Sequence, residues 1–144
     1  MSQKNYNIAI DDGSVTFTIN NDKNKKIKVY PTDFNIIKRM ETAKKEMSKA
    51  LEDYANSPDT TDTGDEVDAL NSIINNCINK IFAYDVSSVV FGEISPLTIS
   101  GGKFYCQKFL EAIMPIISNI IEDEAEKTKK NIKKYTANKA DLKW

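Results

Sequence analysis

Apolar residues recur every three or four positions through most of the chain after residue 33, and this periodicity restricts the fold more than any other feature. An α-helix completes a turn every 3.6 residues, so such spacing gathers apolar side chains on one face. The clearest stripe has 3-4-3-4 spacing and consists of Val67, Leu70, Ile74, Cys77 and Ile81, widened by Ile73, Ile78 and Phe82. The chain is therefore expected to be mainly helical.

Helical segments are predicted at 33–56, 66–92 and 102–135. The first follows Pro31, and Thr32 or Asp33 can cap it. The second includes a short helix that Asp85 caps. The last is long, and Pro115 within it predicts a kink, because proline removes a backbone hydrogen bond and clashes with the preceding turn.

Residues 1–30 have a different pattern, in which apolar and polar side chains alternate. This alternation predicts an antiparallel β-meander of about three short strands packed against the helices. The strands are marked by Tyr6, Ile8 and Ile10, then Val15, Phe17 and Ile19, then Ile27 and Val29. The fold class is therefore α+β, mostly α, in a single domain spanning 1–144, with an acidic loop at 57–65 and a basic tail at 136–144.

Composition excludes most catalytic chemistry. The 144 residues include no histidine, which removes Ser-His-Asp and Cys-His arrangements as well as imidazole metal ligands. Cys77 and Cys106 do not form a CxxC pair, and no glycine-rich phosphate loop is present. We therefore expect a protein-binding molecule and not an enzyme, with no cofactor and no metal.

The charged segments have ordinary explanations that outweigh functional ones. Glu122, Asp123, Glu124 and Glu126 fit a solvated helix face better than a divalent metal site. The lysine run at 127–134 fits an exposed helix end better than a nucleic-acid site, since the net charge is only −1. No membrane-spanning segment or signal peptide is recognisable, so we expect the protein to remain in the cytoplasm in which it is made.

The wide apolar stripe of the last helix leaves two interpretations open, a buried core or an interface with another chain. A chain of this length has a limited interior, and surplus apolar residues on helices are typical of subunit or partner contacts. The residues predicted to form such an interface are Phe104, Phe109, Ile113, Ile116 and Ile120.

Two segments resemble a known family. Residues 28–47 read KVYPTDFNIIKRMETAKKEM, and residues 91–117 read FGEISPLTISGGKFYCQKFLEAIMPII. Together they resemble small proteins of the tail modules of siphophages and prophages of Gram-positive bacteria, which are regarded as tail assembly chaperones. The resemblance covers most of the chain in the order of its elements, and its motifs are structural.

The resemblance implies a function that needs no catalytic residue. Such chaperones bind the tape measure protein, a long apolar helical chain, and keep it in solution until the tail tube assembles; they also self-associate. Two alternatives remain: a structural tail or head-tail connector component of the virion, and a small phage regulator or host-defence inhibitor that acts by protein binding.

Overall fold

The computed structural model describes residues 3–56 and 64–137, with side chains up to residue 133. Two short antiparallel sheets and four helices make up these residues. In chain order they are β1 (Val15–Ile19), β2 (Asp22–Val29), α1 (Asn35–Ala55), α2 (Gly64–Phe82), α3 (Ser87–Val90), β3 (Ile99–Ser100), β4 (Lys103–Phe104) and α4 (Tyr105–Ala137). The predicted α+β class, mostly helical, is confirmed.

The N-terminal sheet is a hairpin of two strands, β1 and β2. Asn20 and Asn21 both have positive φ angles, 52° and 58°, which suits a two-residue turn between right-handed twisted strands. β2 consequently begins at Asp22, five residues before Ile27, the first apolar residue that marked this strand in the sequence. Val15 faces Val29 and Phe17 faces Ile27 across the ladder, so the apolar side chains share one face.

The predicted meander of three strands is wrong in its first strand, over Tyr6–Ile10. This segment forms no strand, and its three large apolar side chains are 78–79% exposed. The residues that follow it are held beside β2, since Asp12 lies 3.7 Å from the Lys28 ammonium and Gly13 approaches Thr32. The chain therefore does not turn back along β1.

Helix α1 packs along α2, and the single arginine of the chain fixes the end of this pair. The Arg39 Nε–H donates to the Ile81 carbonyl at 2.9 Å, and its guanidinium lies 3.4 Å from the Asp33 carboxylate. A cation suits this position because the last carbonyls of a helix lack partners and carry partial negative charge. The most deeply buried side chains of α2, including Ile74 and Ile78, lie at the centre of the core.

The Asn79 side chain joins α2 to the turn before α3. The Asn79 Oδ1 accepts hydrogen bonds from the buried backbone N–H groups of Val86 and Ser87, at 2.8 and 2.7 Å. In the same turn, the Asp85 carboxylate accepts the Ser88 N–H at 3.2 Å, so Asp85 caps an amide of α3 as predicted, although Val86 holds the N-cap position. The first turn of α3 is therefore satisfied by side chains from two elements.

An aromatic cluster holds the first half of α4 against the rest of the core. Phe91, which follows α3, contacts Tyr105 and Phe109 edge-on, with ring centroids 5.3 and 6.1 Å apart. Phe109 also lies 6.0 Å from Phe82 at the end of α2. Between Phe91 and α4, the chain forms the small β3–β4 hairpin, whose turn residues Gly101 and Gly102 both have positive φ.

Helix α4 continues through Pro115 to Ala137, so the predicted long C-terminal helix is confirmed with slightly later bounds. The kink at Pro115 stays a prediction. Residues 122–133 are exposed throughout, as expected for a polar helical extension. Part of the predicted acidic loop, 57–63, and the tail from 138 onward lie outside the described residues. Among the described helices, none has the length and apolar character that crossing a membrane requires.

Candidate functional site

An open apolar groove of about 930 Å³ runs between α1 and α4. Helix α1 packs on α2 and α4 packs through the aromatic cluster, which leaves the facing sides of α1 and α4 apart. Ile81 of α2 and Cys106 of α4 lie in the groove between them. The other apolar side chains that line this α1–α4 groove come from α1, from Phe104 of β4 and from α4: Ile37, Met40, Met47, Leu51, Phe104, Leu110, Met114 and Pro115.

Methionine is concentrated in this groove. The chain has four methionines, and all except the first residue, namely Met40, Met47 and Met114, line the α1–α4 groove. Methionine is unbranched and polarisable, so a methionine surface can repack around partners of different shape. Such surfaces are over-represented where one protein binds many apolar segments.

Polar side chains of both signs border the groove. Glu41 and Lys44 lie on the α1 side, and Gln107 and Glu111 lie on the α4 side. The Lys103 ammonium, 2.8 Å from Glu111, holds the pKa of that carboxyl below its ordinary value, so Glu111 is ionised at neutral pH. An apolar floor with a mixed-charge border is the pattern of a protein-binding surface.

The groove has the dimensions of a helix-binding site. The lining residues of α1 extend from Ile37 to Leu51, and those of α4 extend from Cys106 to Ser118. The α1 span is about 21 Å and the α4 span about 18 Å at the α-helical rise of 1.5 Å per residue. A helix of about four turns fits that length, and it would face the groove with apolar residues spaced at i, i+3, i+4 and i+7.

The five residues predicted to form an interface occupy different environments. Phe109 and Ile113 belong to the core, being 8% and 4% exposed, where side chains of this same chain cover them. Phe104 is half-buried and lines the α1–α4 groove. Ile116 is exposed and lies on another side of α4, and Ile120 is half-buried. The structure thus groups Phe104 with the groove, whereas Phe109, Ile113 and Ile116 lie together at a second cleft on another side of α4.

Both cysteines are buried thiols that are poorly suited to nucleophilic chemistry. Burial, together with a hydrogen bond to the Glu46 carboxylate, raises the pKa of Cys77 to about 11. The nearby Lys80 ammonium, 3.2 Å from Glu46, lowers the pKa of that carboxyl and keeps it charged. Burial likewise raises the pKa of Cys106. Because a thiolate is the reactive form, both thiols are deactivated.

No metal centre is found in the part of the chain that the structure describes, where no three Cys, Asp or Glu side chains converge. The carboxylates from Glu122 to Glu126 are exposed on α4.

The contribution of α1 to the groove was missed from the sequence, although a signal existed. Met40 and Met47 lie seven residues apart, and that spacing places them on one face of a helix.

Comparisons with protein-family models, with curated proteins and with solved structures found no match to this chain. Its function is therefore inferred from its own residues and from the resemblance of its two segments.

Proposed function

We propose that this protein binds an amphipathic helix of another protein in the α1–α4 groove, and that it acts as a tail assembly chaperone for the tape measure protein. The observation that carries the proposal is the open groove itself, about 930 Å³ in volume and lined by three methionines. A tape measure protein is a long helical chain, so it offers many segments of the kind that such a groove binds.

The groove explains how one small protein can bind a long partner without strong sequence preference. Its lining provides mainly apolar contact, which depends on buried area and little on direction. Its border residues, such as Glu41 and Lys44, have opposite charges and do not select a partner of one sign. Binding of this kind tolerates different helical segments, and its affinity remains low enough for displacement by tail tube subunits.

The proposal is tested by placing a charge in the groove without disturbing the core. Ile37 lines the groove and is 42% exposed, so lysine at this position keeps its ammonium at the surface and obstructs an apolar occupant. Ile73 is a matched control, because it is 43% exposed on α2 and lies outside the groove. Both substitutions remove the same side chain from a helix at nearly equal exposure.

Each variant is co-expressed with the tape measure protein encoded in the same tail gene cluster, and the soluble fraction of the tape measure protein is measured. Wild type and Ile73→Lys are expected to keep it in solution and to co-purify with it, whereas Ile37→Lys is expected to do neither. The proposal is refuted if wild type fails to solubilise the partner. It is also refuted if Ile37→Lys, folded by circular dichroism, performs as well as wild type.

The virion alternative makes a different prediction for mature particles. A chaperone leaves the tail when assembly ends, so mass spectrometry of purified virions is expected to find tape measure and tube proteins without this chain. Stoichiometric recovery of the chain from particles would favour a structural component instead.

A further inference from the structure

The segment from Tyr6 to Ile10 has the sequence pattern of a strand but is not paired with any strand of its own fold. Tyr6, Ile8 and Ile10 alternate with Asn7 and Ala9, and their exposures of 79%, 78% and 78% are among the highest of the large apolar side chains described. Exposing three such residues together is unfavourable for an isolated molecule, and it is typical of a segment that another surface covers.

Strand β1 has a free edge of matching length. The Lys28 N–H donates to the Tyr84 hydroxyl at 2.6 Å, so it points away from β1, and Thr16 opposite Lys28 belongs to a non-hydrogen-bonded pair. The N–H and C=O groups of Thr16 therefore point away from β2, as do those of Thr18 two residues later. These groups form an open edge on a five-residue strand.

An apolar cleft of about 330 Å³ lies between this edge and α4. A cavity of about 150 Å³ holds one benzene-sized group, so the β1–α4 cleft has room for roughly two large apolar side chains. A strand added to β1 would project every second side chain onto the face that carries Phe17 and Ile19, toward α4. The apolar residues lining the cleft are Phe17, Ile19, Val90, Tyr105, Phe109, Ala112, Ile113 and Ile116.

The segment does not reach its own cleft, because the residues that follow it are tied to the other side of β1. Asp12 pairs with Lys28 of β2, and Gly13 packs near Thr32 beyond the end of β2. The Gly13 N–H also donates to the Asp11 carboxylate at 3.0 Å, which fixes the local turn. Folding back onto the free edge of β1 would break these contacts, whereas insertion into another molecule keeps them.

We infer that residues 6–10 of one molecule add as a strand to the free edge of β1 in a second copy, with Ile8 and Ile10 in its β1–α4 cleft. The charge pattern agrees, since Lys108 is the charged residue that lines the cleft and Asp11 follows the inserted segment. Reciprocal exchange closes a twofold dimer and leaves the α1–α4 groove of both copies open. This self-association uses residues separate from the groove of the proposed function.

The test is sedimentation equilibrium of the full chain alone, from micromolar to millimolar concentration, so its outcome does not depend on any tape measure protein. Wild type is expected to dimerise. The donor variant with Ile8→Asn and Ile10→Asn is expected to dimerise at least about a hundredfold more weakly, because each of the two buried isoleucines contributes a tenfold or larger effect. The control with Ile94→Asn and Ile99→Asn changes two exposed isoleucines outside the cleft and is expected to dimerise like wild type.

Blocking the acceptor edge gives an independent variant. Thr16→Pro removes an N–H that points to the free edge and costs no bond to β2, whereas Thr16→Val keeps that N–H. Thr16→Pro is expected to lose self-association, and Thr16→Val is expected to retain it. A mixture of Thr16→Pro with the Ile8→Asn, Ile10→Asn variant is expected to form a one-to-one complex weaker than the wild-type dimer, since one of its two strand exchanges has both an intact donor and an intact edge.

Hydrogen exchange at the Thr16 and Thr18 amides distinguishes the occupants. Protection that increases with concentration and disappears in the donor variant supports exchange between copies. A strict monomer, or protection independent of concentration, would mean that the segment folds onto its own β1 or stays unpaired, and either result overturns the inference.

Discussion

The Asn79 side chain offers the sharpest test of how the helices are held together. Its Oδ1 is the acceptor for the backbone N–H of Ser87, a residue only 6% exposed, and it shares the Val86 N–H with the Tyr84 carbonyl. Asn79→Ala removes this acceptor without adding bulk. The Ser87 N–H is then buried without a partner, whereas the Val86 N–H retains one bond at 2.9 Å.

The magnitude follows from those two amides. A buried donor without a partner costs about 1–3 kcal/mol, and losing one of two bonds costs about 0.5–1 kcal/mol. Alanine favours a helix over asparagine by about 0.6 kcal/mol, which offsets part of the loss. Asn76→Ala is a matched control, because Asn76 is exposed on the same helix and gains the same helix propensity. The difference between the two variants is therefore expected to be about 2.5 kcal/mol.

The assay is urea unfolding followed by circular dichroism at the helical band. With a urea dependence of roughly 2 kcal/mol per molar, the midpoint of Asn79→Ala is expected to lie about 1 M below that of Asn76→Ala, with equal slopes. Midpoints that agree within the error would refute the assignment of these two hydrogen bonds. They would also show that the Asn79 side chain does not fix the position of α3.

Three further predictions concern the backbone, a thiol and pH. Ala83 directly follows α2 with φ 63°, a left-handed conformation that costs alanine more than glycine. Ala83→Gly is therefore expected to raise the free energy of unfolding by about 0.5–1 kcal/mol in the same urea assay, and a lower value would contradict that conformation. Cys77, with a pKa of about 11, is expected to react with a thiol reagent at pH 8 about a hundredfold more slowly than in the urea-unfolded chain, and equal rates would contradict its burial. Four carboxyl groups have lowered pKa values in the folded state, so their stabilisation is present above the ordinary values of 3.8 and 4.5 and is lost as pH falls through the folded values. The urea midpoint is expected to be flat from pH 8 to 5.5, because the chain has no histidine to titrate there, and to fall below pH 4.5. A midpoint that rises in acid would contradict the ion pairs and caps formed by the four carboxyl groups, which belong to Asp12, Glu46, Asp85 and Glu111.

The helical elements were predictable because their pattern is local. The 3-4-3-4 stripe from Val67 to Ile81 identifies α2, and six residues of this stripe and its flanks are buried in the core. Asp85 was recognisable as a cap from its position before an apolar run. Pro115 suggested a kink because proline disrupts an ideal helix, yet α4 continues through it.

Pairing and spacing between elements were not predictable in the same way. Alternation at Tyr6, Ile8 and Ile10 indicates a segment that can form a strand, but a strand also needs a free edge within reach. The contacts of Asp12 and Gly13 with the β2 side decide that question, and they depend on tertiary structure. The asparagines of α2 had no recognisable role until the turn before α3 was placed against Asn79.

The α1–α4 groove was the least predictable feature, because it is a space between helices and not a property of either one. The apolar stripe of α4 suggested an interface, but Phe109 and Ile113 are used by the core. The residues facing outward were instead supplied jointly by α1 and α4. Met40, Met47 and Met114 are the side chains that best identify the groove in retrospect.

Methyl NMR of the complex with the tape measure protein tests the groove most directly. With labelled methionine and isoleucine methyl groups, binding is expected to shift the signals of Met40, Met47, Met114 and Ile37, which line the groove, while those of Ile73 and Ile94 remain unchanged. Shifts confined to Ile73 or Ile94, or a complex that leaves the three methionine signals in place, would contradict the assignment of the groove as the binding site.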